Sequence, residues 1–215
     1  MWPKDARANG ARNRIPNFDP AFIKAVGEAL DLDFVPDGCG DLSANFGPED
    51  AFHYIYAVLH SPEYRRRYAD FLKSDFPRIP LTGNRYLFAS LVKRGQHLAV
   101  LHLMDAEGAN LPAFPHTGCN RVVKPRYTPP SAGQEPGRVW INHDQCFEGV
   151  APATWEFAIG GYRPAQKWLN DRQDRALSYD DITHYRRICA ALTETRNIMQ
   201  SIDHAIESHG GWPLQ

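Results

Sequence analysis

Apolar residues recur at helical spacing through most of the first half of the chain, and that pattern predicts its elements. In DPAFIKAVGEAL, Phe22, Ile23, Val26 and Leu30 share a face, with Asp19 as N-cap and Pro20 at the first helical position. The stretch DFVPDGCGDLSANFG that follows is rich in Gly, Pro, Asp and Asn, which predicts a surface connection. Next, GPEDAFHYIYAVLHS places Phe52, Ile55, Tyr56 and Leu59 behind an acidic opening at Glu49 and Asp50, as suits a helix N-terminus. Ser61 and Pro62 then form a capping corner, and SPEYRRRYADFLKSDF reads as a further helix with Tyr64, Tyr68, Phe71 and Leu72 on one side. After the prolines of FPRIPLTGN, the run RYLFASLVKRGQHLAVLHLMDAEG predicts a helix that contains Gly95 and ends by Gly108.

Beyond residue 110 the pattern changes. CNRVVKPRYT, GRVWINHDQCFEGV and ATWEFAIGG are rich in β-branched and aromatic residues and separated by turn formers, which predicts three short antiparallel strands. Helical spacing returns in YRPAQKWLNDR, and then in a long run opened by a capping box of Ser178 and Asp181. Tyr185, Ile188, Leu192, Thr195, Met199, Ile202 and Ile206 form a stripe along that run, best explained as a core-packing helix; an intermolecular coiled coil is the alternative. HGGWP stops it. The expected class is α+β, with a helical N-terminal half, a small antiparallel sheet of about three strands and a long C-terminal helix. By segment this gives a polar leader or artificial boundary over 1–18, a helical part over 19–110, the sheet with a connecting helix over 111–177 and the closing helix over 178–215. Residues 19–215 are expected to act as one compact unit.

Composition excludes several classes. With 43% apolar residues in 215, the chain can bury a core, so it is not a disordered tail. Lys plus Arg number 24 against 25 Asp plus Glu, and a net charge of -1 gives no global basic field. No apolar run approaches the roughly 18 residues of a membrane helix, and no signal-peptide pattern opens the chain, so the expectation is a soluble, cytoplasmic protein without a membrane partner. Cys39, Cys119, Cys146 and Cys189 form no C-x-x-C pair, which points to reduced structural thiols and no thiolate metal motif. His53 and His60, or His97 and His102, lack the three- or four-residue spacing of a helical metal pair. His143 and Asp144 could pair as a base with its orienter, but with Asn142 they also spell a turn, the favoured reading. Phosphate-binding, base-methylating, nucleophile-elbow and zincin motifs are all absent, so no catalytic residue or metal ligand is assigned.

Local charge changes the picture. Residues 61–140 carry twelve basic and six acidic side chains, a net of +6, so the remainder carries -7. A neutral protein with one phosphate-facing surface shows such polarity, although a solvated face gives the same count. Arg121, Lys124, Arg126 and Arg138 are interleaved with Tyr127, Trp140 and Asn142, so strands and loops there would set cations on phosphates. Arg126, Arg138, Asn142 and Asn84 or Arg85 are candidates for base edges. A second candidate is IGGYRPAQKWLNDR. Gly160 and Gly161 would end a strand there, and Tyr162, Arg163 and Lys167 would present an anion site at the next helix start; a plain strand-to-helix turn is the alternative.

Four phrases carry a resemblance: RIPNFDPAFIKAVGEALDLDF, FGPEDAFHYIYAVLHSPEYRRRYADFLKSDFPRIPL, WINHDQCFEGVAPATWEFAIGGYRPAQKWLNDR and LSYDDITHYRRICAALTETRNIMQSIDHAI. In this order, from about Arg14 to Pro213, the chain resembles the C-terminal specificity domain of Type ISP restriction-modification enzymes. The resemblance implies a target recognition domain that binds double-stranded DNA without catalysing a reaction, braced by a methyltransferase domain of the same or a neighbouring polypeptide. It also implies that S-adenosylmethionine, ATP and magnesium serve the parent enzyme's adenine N6-methyltransferase, helicase and nuclease parts, with no cofactor in this chain. Two alternatives stay open: a helical interaction or assembly scaffold, and a free-standing enzyme whose active site joins widely spaced residues.

Overall fold

The computed structural model describes residues 15–104, 110–131 and 137–214. The leader expected over 1–18 therefore lies outside the described residues up to residue 14, as does the helix stop at Gly108. The chain divides into two compact units, one of residues 1–97 with 199–215 and the other of residues 98–198. Both boundaries between the units fall inside helices.

In the first unit, α1 (Pro20–Leu30) starts where Asp19 accepts a hydrogen bond from the Ala21 N–H at 2.7 Å, as the cap pattern predicts. The expected surface connection after it instead contains two strands, β1 (Asp33–Phe34) and β2 (Asn45–Phe46), paired in parallel. The pairing is driven from the side chains. Phe46 is fully buried, packs 5.3 Å from Phe34 and meets Phe88 edge-on at 6.2 Å. Strands of two residues leave no periodicity to read.

Helix α2 (Pro48–His60) begins at a loop held by buried Asp50, whose carboxylate accepts from the Gly40 and Gly47 N–H groups at 2.6 and 2.8 Å. The single helix expected after Ser61 is broken into α3 (Pro62–Arg67) and α4 (Phe71–Ser74). Where α3 stops, Tyr68 lies edge-on to Trp212 and Tyr64 lies 5.6 Å from the same ring, a tertiary contact that overrides local propensity. The Ser-Pro corner is as expected: Ser61 Oγ accepts from the Tyr64 N–H at 3.0 Å. Ser61 also donates to Asp203, which accepts the Glu63 N–H at 3.1 Å.

Helix α5 (Arg85–His102) carries its one glycine where α2 crosses it. A Cβ on Gly95 would sit 1.8 Å from the His53 carbonyl oxygen, so the two backbones approach closely only because that side chain is missing. The ring of His53 pays no hydrogen-bond dividend in return: its Nδ1 is buried without a partner. Burial lowers its pKa below the ordinary 6.5, only partly offset by Asp50 and Glu49.

In the second unit, β3 (Arg126–Thr128), β4 (Gly137–Trp140) and β5 (Cys146–Val150) form an antiparallel sheet in the order β3-β4-β5. Three antiparallel strands were expected, and CNRVVKPRYT supplies β3 as read, but the other two segments behave differently. GRVWINHDQCFEGV supplies both β4 and β5, because Asn142 accepts the Asp144 and Gln145 N–H groups at 2.9 and 2.8 Å and reverses the chain. ATWEFAIGG is not a strand: Pro152 opens the short α6 (Pro152–Trp155), and Trp155 is buried against Tyr127 with ring centroids 5.9 Å apart. Gly160 and Gly161 consequently do not end a strand but form the turn of an isolated bridge between Ile159 and Tyr162. Helix α7 (Pro164–Asn170) follows.

The long helix α8 (Tyr179–Glu207) starts at the expected reciprocal cap: Asp181 N–H donates to Ser178 Oγ at 3.1 Å and Ser178 N–H to Asp181 at 3.0 Å. Of its stripe, Tyr185, Leu192, Thr195, Met199, Ile202 and Ile206 are buried and Ile188 is partly so. Tyr185 is fully enclosed, 4.6 Å from Phe147 and 5.2 Å from Trp168, and its hydroxyl donates to the Ala165 carbonyl. Val122, Val139, Ile141, Phe147 and Leu169 complete that core.

Gly95→Ala should destabilise the protein by about 3 kcal/mol, although the same change at an exposed helical site stabilises by about 1 kcal/mol. Urea unfolding checks this, and an unchanged or raised midpoint would contradict the close crossing. The depressed His53 pKa fixes a pH dependence. Its contribution is whole above pH 6.5 and is lost as pH falls, since the unfolded chain takes up a proton that the folded chain resists. His102, also lowered by burial, acts in the same direction. The urea midpoint should therefore drop from pH 7.5 to 5.5, and His53→Asn should flatten that slope.

Candidate nucleic-acid interface

Alternation along the three strands sorts their side chains onto two faces. Tyr127, Val139 and Phe147 point to the core, while Arg126 and Thr128 of β3, Arg138 and Trp140 of β4, and Cys146 and Glu148 of β5 share the other face. Pairing aligns Arg126 with Trp140 and Thr128 with Arg138. The Arg126 guanidinium lies over the Trp140 ring, 4.8 Å from its centroid, and the Trp140 indole N–H donates to Thr128 Oγ1 at 3.0 Å. Arg138 Nε holds Glu148 at 2.8 Å. This face thus presents two guanidinium groups, one braced on an aromatic plane and one on a carboxylate, with exposed Lys124 just before β3.

Two features hold the sheet in this register. Tyr127 passes so close to β4 that a Cβ on Gly137 would meet its hydroxyl at 2.2 Å, and the hydroxyl donates to the Val150 carbonyl at 3.0 Å. Between Arg138↔Glu148 and Gly137↔Val150 the register shifts by one residue, a bulge at Gly149, where φ is 97°. At the other end of the hairpin, the amide of Gln145 is 1% exposed and joins three segments. It donates to the His116 carbonyl at 3.0 Å and Asn120 Oδ1 at 2.7 Å, and accepts from the Asn120 N–H at 2.8 Å and Asn142 Nδ2 at 3.0 Å.

The eleven candidate residues fall into distinct settings. Arg126 and Arg138 share the outer face, and Lys124 is exposed two residues before β3. Arg121 lies near them in the sequence, but its Nε donates to the Asp174 carbonyl at 3.0 Å. Asn142 is fully engaged in the hairpin turn, since its Nδ2 also donates to the Arg121 carbonyl at 3.0 Å. Tyr127 is turned to the core side. Tyr162 is exposed beside the glycine turn, Arg163 pairs with Glu156 at 2.8 Å, and Lys167 pairs with Asp171 at 2.7 Å. Together with Gln166 and Asn170 these three line a shallow groove.

Asn84 and Arg85 belong to the first unit. Asn84 caps α5 by accepting the Tyr86 and Leu87 N–H groups at 2.9 and 3.1 Å. The Arg85 guanidinium donates to the Leu30 and Asp31 carbonyls and to the Asp31 carboxylate, gripping the end of α1. The run of positive charge over 61–140 is divided likewise, with eight of its cations in the first unit and four in the second.

Thr128 and Glu148 were not among the sequence candidates. Period-two alternation from Arg126 and Arg138 is the signal that finds Thr128; only the β4–β5 pairing finds Glu148. Among the described residues no helix is long and apolar enough to cross a membrane.

Comparison with known proteins places this geometry in a family. The Type ISP C-terminal specificity domain matches residues 1–201. No curated protein matches. Among solved structures, the DrdV–DNA complex shares the fold with a TM-score of 0.60 and 20% identity, over 85% of this chain and 19% of that one. The ATP-dependent Type ISP restriction-modification enzyme LlaBIII bound to DNA matches with a TM-score of 0.54 and 21% identity, over 75% of this chain and 11% of that one. A nuclease-deletion mutant of the Type ISP enzyme LlaGI, in complex with a DNA substrate mimic, matches with a TM-score of 0.51 and 21% identity, over 74% and 14%. The chain thus spans less than a fifth of each of these proteins. On the match to nearly its whole length, the chain belongs to the Type ISP C-terminal specificity domain family.

Proposed function

We propose that this chain is a DNA target recognition domain that binds duplex DNA and catalyses no reaction itself. The observation that carries the proposal is the family match over residues 1–201. The exposed cations of the second unit support it. Lys124 neutralises a phosphate, while Arg126 and Arg138, whose planes are fixed by Trp140 and Glu148, reach base edges in the major groove. A guanidinium held in place before contact loses less conformational entropy on binding, and its fork matches the two acceptors of guanine. Asn84, whose side-chain oxygen caps a helix, and Arg85 and Asn142, which are engaged within the protein, act by shaping the loops around them. Arg121, Tyr162, Arg163 and Lys167 serve as flanking backbone contacts.

In this proposal the chain is one part of a larger cytoplasmic restriction-modification system. S-adenosylmethionine, ATP and magnesium are used by methyltransferase, helicase and nuclease segments, and a methyltransferase domain braces the reader against its site. The DNA-bound state of the three solved enzymes is consistent with this role.

Fluorescence anisotropy with a labelled duplex across a salt series tests the binding. Affinity should fall as salt rises; Lys124→Ala should reduce the slope of log K against log salt by roughly 1, and Arg126→Ala should weaken binding by about 1 to 3 kcal/mol. An unchanged slope would place the contact elsewhere on the protein. Binding that is absent, or indifferent to salt, would overturn DNA recognition in favour of a scaffold or another activity.

A further inference from the structure

The sheet face described above also brings together three metal-ligating groups. His116 Nε2, Cys146 Sγ and a Glu148 carboxylate oxygen all lie within 4.8 Å of one another, with His116 and Glu148 separated by 4.0 Å. Their meeting is fixed by the backbone. Cys146 and Glu148 are two residues apart on β5 and so share a face. Ala113 forms a bridge to Glu148 with two hydrogen bonds of 2.8 Å, and the Gln145 amide holds the His116 carbonyl, so the segment from 113 to 116 is held beside β5 at both ends.

We propose that His116, Cys146 and Glu148 form a binding site for a divalent zinc-class ion. One thiolate, one imidazole and one carboxylate make a donor set that suits zinc, with a fourth position left for water. Zinc bonds of about 2.0 to 2.3 Å require the three donors to close by roughly 1 Å. The His116 side chain is 48% exposed and supplies that movement and an entry path, whereas Cys146 is fully buried and anchors the floor. On binding, the Cys146 S–H proton leaves to solvent and a sulfur–metal bond forms, with no change of oxidation state. The competitor is Arg138, which shares the Glu148 oxygen at 2.8 Å. The site shares Glu148 with Arg138, so an ion bound there withdraws the carboxylate that braces that guanidinium.

Cobalt(II) titration of the chelator-treated 215-residue chain tests the proposal. The expected result is one equivalent bound, with a thiolate-to-cobalt charge-transfer band that zinc abolishes by displacement. Cys146→Ser should remove the band and Cys119→Ser should leave it. His116→Ala, a change at an exposed position, should weaken binding at least tenfold, and Arg138→Gln should tighten it by freeing Glu148. Circular dichroism checks that each variant is folded. Absence of the band in the parent chain, its persistence in Cys146→Ser, or equal affinity in His116→Ala would each overturn the site.

Discussion

The sheet unit depends on one buried amide. Gln145 has two N–H donors and two carbonyl lone pairs, is removed from solvent, and has all four met. An unmet buried amide group costs about 1 to 3 kcal/mol, so any other arrangement of the segments around it is penalised. Through Asn142 the amide fixes the hairpin that joins β4 to β5, and through Asn120 and His116 it fixes the segment leading towards β3. The outer face follows from that clamp together with the close pass of Tyr127 over Gly137. Arg126, Arg138 and Trp140 stand where they do because hydrogen bonds behind them leave the strands one register.

In the proposed function, that face is how a protein of net charge -1 meets a polyanion. Several cations of the 61–140 segment are paired with carboxylates: Arg66 with Glu63, Lys73 with Asp70, Arg78 with Asp75, Arg85 with Asp31 and Arg138 with Glu148. Exposed pairs of this kind contribute little stability, but they reduce the positive field a partner meets. Arg126 differs because it rests on an aromatic ring instead of a carboxylate. Lys124 beside it is exposed. A small number of unmasked cations on a rigid sheet is a better basis for selective contact than a uniformly basic surface.

Elements whose signals are local were legible in the sequence. Asp19, Ser61 and the Ser178–Asp181 pair all cap the helices they were expected to cap, because a cap involves residues two or three apart. The long stripe of α8 was legible for the same reason. The β1–β2 pair was not, since two residues per strand carry no period and its stability lies in Phe34, Phe46 and Phe88, far apart in sequence. ATWEFAIGG misled because strand-forming residue types were outweighed by Pro152 and by the burial of Trp155. At the site, charge and alternation pointed to Arg126 and Arg138. What removed Asn142 and Arg85 from the pool of free groups was distant carbonyls, at Arg121 in one case and Leu30 and Asp31 in the other. No pattern of neighbours records such partners.

In the proposed function, the outer face of the three-stranded sheet is the surface that meets DNA. The Trp140 indole N–H, bonded to Thr128 and lying beneath Arg126, is a reporter built into that face. Its nitrogen–proton resonance, followed by NMR during titration with a short duplex, is the most direct measurement. A progressive shift of the Trp140 signal is expected, while that of Trp155, buried on the opposite side of the sheet, holds still. A Trp140 signal that stays fixed at saturating DNA while others move would contradict it.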